Sequence, residues 1–363
     1  MKCNMNKKKI IRNVILVIAI LILLIILLVN IGDIKSIWNV LKDSNGWFIL
    51  LAIGLLLGYA VFHQASLMIL TKHRYKDIKF IDNFTISGSE FFFNAITPFS
   101  SGGQPFQAYA LKRKKMKLSD STSVLLINFI AYQVCLNAIA IVFLIVYYGR
   151  VKSEISSYIW FLIVGFIINV IVMVLLLSVG TIKPVGNLFL KLFDLICKIK
   201  PLRKFQNKRV NFEEYITNVQ SAFKEISKNI KIWLYVLITK IISFGIYYSI
   251  PFVALYAIGI NVGWNDLPYV MALTAFTLTI AIWVPTPGGS GGVEAAFHLL
   301  YAPLVLSYGF TDSKNYTLAI MLIWRLVTYY LLIIYGFVLY IVFEKRDKGI
   351  DENLSMGEIE ETI

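Results

Sequence analysis

The stretch Pro287-Gly288-Gly289-Ser290-Gly291-Gly292-Val293-Glu294 breaks a long apolar region with glycine and ends on a carboxylate. A weaker copy, Pro98-Phe99-Ser100-Ser101-Gly102-Gly103, keeps the same spacing: proline, two residues, serine, two glycines. Both copies lie between apolar segments. The chain therefore reads as two halves, each built around one break.

Of the 363 residues, 58% are hydrophobic, and the mean hydropathy is +0.72. A soluble domain averages about 45–50% apolar residues. The excess falls in runs of about 20 residues, which indicates an all-α polytopic membrane protein. The net charge is +14. Its Lys and Arg residues sit in short loops between apolar runs, so they speak for topology and for contact with anionic lipid heads, and no nucleic-acid partner is expected. Cys3, Cys135 and Cys197 are scattered, as are His63, His73 and His298. They form neither a disulfide framework nor a metal site, and no metal or other cofactor is expected. No P-loop and no nucleophile–base order stands out, so no enzyme signature is present.

Charge orients the segments. Residues 1–46 hold an N-terminal transmembrane helix at 10–30, preceded by Lys7-Lys8-Lys9 and Arg12, and an outer loop. Its apolar core is too long for a signal peptide, which places the N-terminus in the cytoplasm. Residues 47–148 form a first repeat: a span at 47–70, a broken segment at 80–111 and a span at 121–148. The broken segment is flanked by Lys72, Arg74, Lys76 and Lys79 on one side and by Lys112 to Lys117 on the other. Both ends then lie in the cytoplasm, and the segment enters and returns as a re-entrant hairpin. Residues 149–231 hold a fourth span at 157–180 and a basic cytoplasmic segment. Its part at 187–200 reads either as an interfacial amphipathic helix or as a solvated one. Arg150 and Lys152, in an outer loop, run against the charge rule. Residues 232–343 form a second repeat: a span at 232–259, a broken segment at 268–309 interrupted by Pro285, Pro287 and Pro303, and a span at 317–343. Its flanks are poor in positive charge, so this hairpin dips in from outside. Residues 344–363 are an acidic cytoplasmic tail. The expectation is about six full spans plus two re-entrant hairpins in an inverted-topology repeat.

A helix restarting after Ser-Gly-Gly offers unpaired N–H groups and a positive dipole end, a natural place for phosphate. Pro105 suits the first turn of the restarted helix. Charges inside apolar segments are costly and mark a cavity or pathway by default. The candidate head-group contacts are Glu90, Ser101, Gly102, Gly103, Gln104, Gln107, Ser290, Gly291, Gly292, Glu294 and Arg325. Asn128, Gln133 and Asn137 on the third span, and His63 and Gln64 on the second, are further candidates for the same cavity. Plainer readings stand beside these. The glycines serve close helix packing, Glu294 compensates its own helix dipole, Glu and Arg form a structural ion pair, and Lys240 snorkels to the interface.

The ordered motifs Thr97-Pro98-Phe99-Ser100-Ser101-Gly102-Gly103-Gln104-Pro105, Pro285-Thr286-Pro287-Gly288-Gly289-Ser290-Gly291-Gly292-Val293-Glu294 and Trp324-Arg325 before Tyr329-Tyr330 resemble the lysylphosphatidylglycerol synthase transmembrane family. This is the membrane part of the bacterial multiple peptide resistance factor, and the likeness spans residues 10–343. The resemblance implies a bacterial inner-membrane protein that moves lysyl-phosphatidylglycerol from the inner to the outer leaflet and so lowers sensitivity to cationic antimicrobial peptides. Full-length members add a cytoplasmic domain that transfers lysine from lysyl-tRNA. Only about 20 residues follow residue 343, too few for a domain, so a free-standing member without transferase chemistry of its own is expected. Alternatives are a membrane component of a lysyltransferase, and a carrier of another anionic lipid such as a polyprenyl-phosphate glycolipid. The partner is a phospholipid substrate, with a homodimer or a separate synthase left open. On this reading the two breaks meet near the membrane midplane, with Glu90, Glu294 and Arg325 close by.

Overall fold

A computed structural model describes residues 34–155, 159–198, 209–281, 284 and 286–360. Their regular structure is helical, apart from one isolated β-bridge. In chain order the helices are α1 Ile34–Lys42, α2 Gly46–Arg74, α3 Phe80–Ala95, α4 Gly103–Arg113, α5 Leu118–Ile155, α6 Ile159–Thr181, α7 Lys183–Cys197, α8 Arg209–Ser227, α9 Ile230–Ala257, α10 Leu267–Ala281, α11 Gly292–Ser307, α12 Ser313–Arg325 and α13 Leu332–Glu360. A π-helical turn, Leu326–Leu331, joins α12 to α13.

Five of these segments are long and apolar enough to cross a membrane: α2, α5, α6, α9 and the run Ser313–Asp347. Each corresponds to an expected span. The expected span at 10–30, with its basic flank and Cys3, lies outside the described residues, as does Pro285. The protein is an all-α polytopic membrane protein. The long helices begin where sequence supplies a cap. Asn45 accepts a hydrogen bond from the Trp47 N–H at 3.0 Å, and Asn229 from the Ile232 N–H at 3.3 Å, each satisfying a donor left without an intrahelical partner. Lys72, His73 and Arg74 close α2, where cations favour the helix dipole.

Between these helices lie two helix–break–helix units. The first is α3, residues 96–102 and α4. The second is α10, a break described at residues 284 and 286–291, and α11. Two devices hold them in place. Gly88 on α3 and Gly336 on α13 let the helices approach until an added Cβ at Gly336 would stand 2.5 Å from the Phe92 backbone nitrogen. Further along α13, Arg113 at the end of α4 bonds Glu344 at 2.6 Å, Lys114 after it pairs with Asp347 at 2.7 Å, and Arg346 bonds Asp82 of α3 at 3.2 Å. The second unit rests on an aromatic stack, with Phe297 to Tyr301 at 4.0 Å and Phe297 to Trp324 at 4.9 Å between centroids.

Arg150 ran against the charge rule, and the fold explains why. Its guanidinium pairs with Glu154 at 3.0 Å and Asp266 at 2.9 Å and lies 3.7 Å from the Tyr269 ring centroid. The charge is neutralised locally, so it carries little topological weight. Burial raises the Asp266 carboxyl, but hydrogen bonds from Tyr308 and Arg150 outweigh it and hold that group below its ordinary range.

The glycine crossing is testable by thermal unfolding in detergent. Gly336→Ala pushes a methyl into the backbone of α3 and is expected to cost about 1–3 kcal/mol. Gly245→Ala on α9, where nothing lies within 4 Å of the added carbon, is expected to leave the midpoint unchanged or slightly raised.

Candidate functional site

The two breaks touch. Pro98 and Pro287, the first residue of each motif copy, face each other in an antiparallel β-bridge. Proline has no N–H, so neighbouring residues must carry the bonds of the bridge. The two turns share their detail. Ser101 donates its hydroxyl to the Pro98 carbonyl at 2.9 Å, and Ser290 donates to the Pro287 carbonyl, also at 2.9 Å. The backbone N–H of each serine reaches the same carbonyl at 3.3 Å. The two residues after each proline have positive φ: Phe99 and Ser100 at 55° and 49°, Gly288 and Gly289 at 61° and 66°. The second copy meets this conformation with glycine, and the first holds two side chains against their preference. Glycine at 288 has a further reason, because a Cβ there would overlap the Tyr329 ring.

At three positions the N–H groups at the helix starts are already taken by side chains. The Gly102 N–H bonds the Thr97 hydroxyl and the Gly103 N–H bonds Asn94 Oδ1, both at 2.8 Å. The Gly291 N–H bonds Glu294 Oε2 at 2.6 Å, so the carboxylate caps the start of its own helix. A phosphate at Gly102, Gly103 or Gly291 would have to displace these side chains. Gly292 packs tightly against Val284.

Two charged clusters flank the bridge. In the first, Glu90 accepts from Gln107 Nε2 through Oε2 at 2.7 Å, and its Oε1 lies 2.9 Å from His63 Nε2. Lys240 is fully buried, its Nζ 3.5 Å from the His63 carbonyl. Glu90, His63 and Lys240 line a cavity of about 260 Å³ together with Gln104, Asn128 and Gln133; the walls include Phe99 and Ser100 from one turn and Gly288 and Gly289 from the other. In the second cluster, Arg325 donates through Nε to Glu294 Oε1 at 2.8 Å and reaches the Gly288 carbonyl at 3.4 Å. Both side chains are almost wholly enclosed, and neither lines the cavity. The π-turn follows Arg325 directly. It sets the Tyr329 hydroxyl on the Ala95 carbonyl at 3.1 Å, tying the first unit to the second.

The structure thus separates the expected residues. Glu90 and Gln104 line the cavity, and Gln107 supports Glu90. Ser101, Gly102, Gly103, Ser290, Gly291 and Gly292 build the turns. Glu294 and Arg325 form a buried pair beside the second turn. Of the secondary candidates, Asn128, Gln133 and His63 line the cavity; Asn137 bonds the Gln133 carbonyl at 2.7 Å, and Gln64 donates to the Tyr335 hydroxyl at 2.6 Å. Lys240 stands on the cavity wall and not at an interface. Sequence reasoning missed Asn94, Thr97, Thr286 and Tyr329. A signal for the threonines was present, since Thr precedes the first proline of both copies and Thr286 bonds the Ser290 carbonyl at 2.7 Å.

With this geometry in hand, comparison with known proteins is informative. A family model described as the lysylphosphatidylglycerol synthase TM region matches residues 14–336. A UPF0104 membrane protein of Archaeoglobus fulgidus is similar over 309 residues at 24% identity, covering 82% of this chain and 87% of that protein.

The enclosed Glu294–Arg325 pair should behave as structure. Glu294→Gln or Arg325→Met alone leaves an uncompensated buried charge and is expected to cost about 3–5 kcal/mol. Making both changes together should cost less than the two single costs summed. A double-mutant cycle by thermal unfolding measures this, and additivity would show that the two residues act independently.

Proposed function

The chain belongs to the lysylphosphatidylglycerol synthase transmembrane family, and from that premise we propose that it translocates a phospholipid across a bacterial inner membrane. The observation that carries this reading is the cavity beside the Pro98–Pro287 bridge, walled by both breaks and lined by buried charge of both signs among aromatic and aliphatic side chains. Apolar helix bundles tolerate such groups where a polar substrate or water meets them. The two units are read as re-entrant hairpins entering from opposite faces, the first from the cytoplasm and the second from outside. That is the inverted repeat of transporters whose site lies between the repeats. Both termini lie in the cytoplasm. The basic loops there contact anionic lipids, and α7, which exposes Leu188, Phe189, Leu192 and Leu195, rests in the interface.

The substrate is lysyl-phosphatidylglycerol or a related phospholipid. Moving the lysyl lipid outward would lower the negative charge of the outer leaflet and weaken attraction of cationic antimicrobial peptides. The head passes through the cavity while the acyl chains stay among the exposed apolar side chains. Glu90, positioned by His63 and Gln107, and Gln104 meet the head. Alternating access would open the cavity to one leaflet and then the other.

Cells expressing Glu90→Gln or Gln104→Leu at normal protein level test this. Appearance of newly made phosphatidylglycerol and lysyl-phosphatidylglycerol in the outer leaflet is followed over time. At least one of the two lipids is expected to slow about tenfold, the effect of about 1.4 kcal/mol. Normal rates for both lipids in both variants would sink the assignment of the cavity. A fall in total lysyl lipid with an unchanged outer share would move the protein from transport to synthesis.

A further inference from the structure

Glu90 and Lys240 give the cavity one fixed charge of each sign, and His63 touches both. Its ring Nε2 lies 2.9 Å from Glu90 Oε1, and its carbonyl lies 3.5 Å from Lys240 Nζ. The carboxylate and the ammonium feel each other's charge. With a neutral imidazole the three groups carry no net charge. An ionised carboxylate only accepts hydrogen bonds, so Nε2 holds the ring hydrogen and Nδ1 is the basic nitrogen. The rings of Tyr59 and Phe91 lie 5.3 Å from the imidazole and that of Tyr132 lies 6.2 Å away, edge on. Aromatic faces at such distances favour a cation. The charged and titratable groups around the imidazole are Glu90 from α3, Tyr132 from α5 and Lys240 from α9, with Tyr59 on its own helix and Tyr247 of α9 against Tyr59. Among these side chains only an imidazole ordinarily titrates near neutral pH.

An anionic lipid head entering this space upsets the balance. It adds a negative charge inside an apolar bundle, and an unbalanced buried charge is costly. A proton on Nδ1 of His63 restores neutrality. The same negative charge offsets the repulsion between Lys240 and an imidazolium. When the head leaves, that repulsion returns and the proton departs with it.

We infer that His63 is a proton carrier: it takes a proton from the aqueous side as an anionic head enters the cavity and releases it on the side where the head leaves, so that phosphatidylglycerol and one proton cross together. This rests on the translocation reading and names the ion that accompanies the lipid. Buried ionisable groups in membrane spans serve such relays. The charges of the lipid and the proton cancel, so a pH gradient drives the pair and a voltage does not. A lysyl lipid brings ammonium groups that offset its own phosphate. Its outward passage takes no proton and meets no opposition from an acidic outer face.

The test uses the full chain. In weakly buffered detergent solution, a pH-indicating dye follows proton uptake as phosphatidylglycerol is added; about one proton per bound lipid is expected. In proteoliposomes, the distribution of phosphatidylglycerol between leaflets is followed under an imposed pH gradient, and separately under a potassium diffusion potential, with protein-free vesicles subtracted. The lipid is expected to gather in the leaflet facing the alkaline side, about tenfold per pH unit at steady state, and to ignore the potential. His63→Gln keeps a donor for Glu90 but cannot titrate, and it should abolish both the proton uptake and the response to pH. The distribution of the lysyl lipid should not follow pH. No proton uptake by the wild type, a distribution that follows the potential, or a pH response that survives in His63→Gln would each overturn the inference, and the wild-type measurements decide even if that variant fails to fold. If lipids move without regard to pH, or only the lysyl lipid moves, proton carriage fails and translocation stands. If protons are taken up with phosphatidylglycerol but no lipid moves, the linked site stands and translocation fails.

Discussion

Inside an apolar bundle, backbone N–H and C=O groups must find partners within the chain. Much of this structure follows from meeting that demand at two places where a helix stops and restarts. Prolines stand at the point of contact, where a donor would have been hardest to satisfy. Serine hydroxyls bond back onto the proline carbonyls. Thr97, Asn94 and Glu294 take the N–H groups at the starts of the restarted helices. The bridge between Pro98 and Pro287 is therefore the joint about which the helices are arranged. The side chains around it divide into those that stabilise the joint and those that face the cavity beside it.

That division separates the buried charges. Glu294 caps α11 and pairs with Arg325, so its oxygens are committed to the fold. Glu90, His63, Gln107 and Lys240 form a looser group on the cavity wall. The difference lies in enclosure. A carboxylate bonded to a guanidinium and its own helix start has no remaining use for a ligand. Lys240 lies 3.5 Å from one carbonyl and over the Tyr132 ring, with no carboxylate in direct contact among the described residues.

The spans were legible in sequence because hydropathy is a local property, and long runs such as 157–180 leave little choice. The breaks were legible because the motif occurs twice and glycine interrupts apolar runs for few other reasons. The partners were less so. His63 meets Glu90 across 27 positions, Lys240 meets the His63 carbonyl across 177, and Arg150 meets Asp266 across 116. No spacing rule links residues so far apart. The expectation that helix starts offer unpaired donors overlooked Thr97 and Asn94, whose side chains reach forward by five and nine positions. Reading Lys240 from its depth in α9 alone left snorkelling open; the packing of α2 and α5 against α9 encloses it.

The run from Ser313 to Glu360 touches both breaks. Arg325 grips the second through Glu294, Tyr329 reaches the first at Ala95, and Gly336, Glu344 and Asp347 clasp α3 and α4 further on. Between these grips sits the π-turn, an irregular ring of backbone in an otherwise continuous rod. One run of chain is thus fastened to both helix pairs, and its regular hydrogen-bond ladder is interrupted at residues 326–331, midway between the two sets of fastenings.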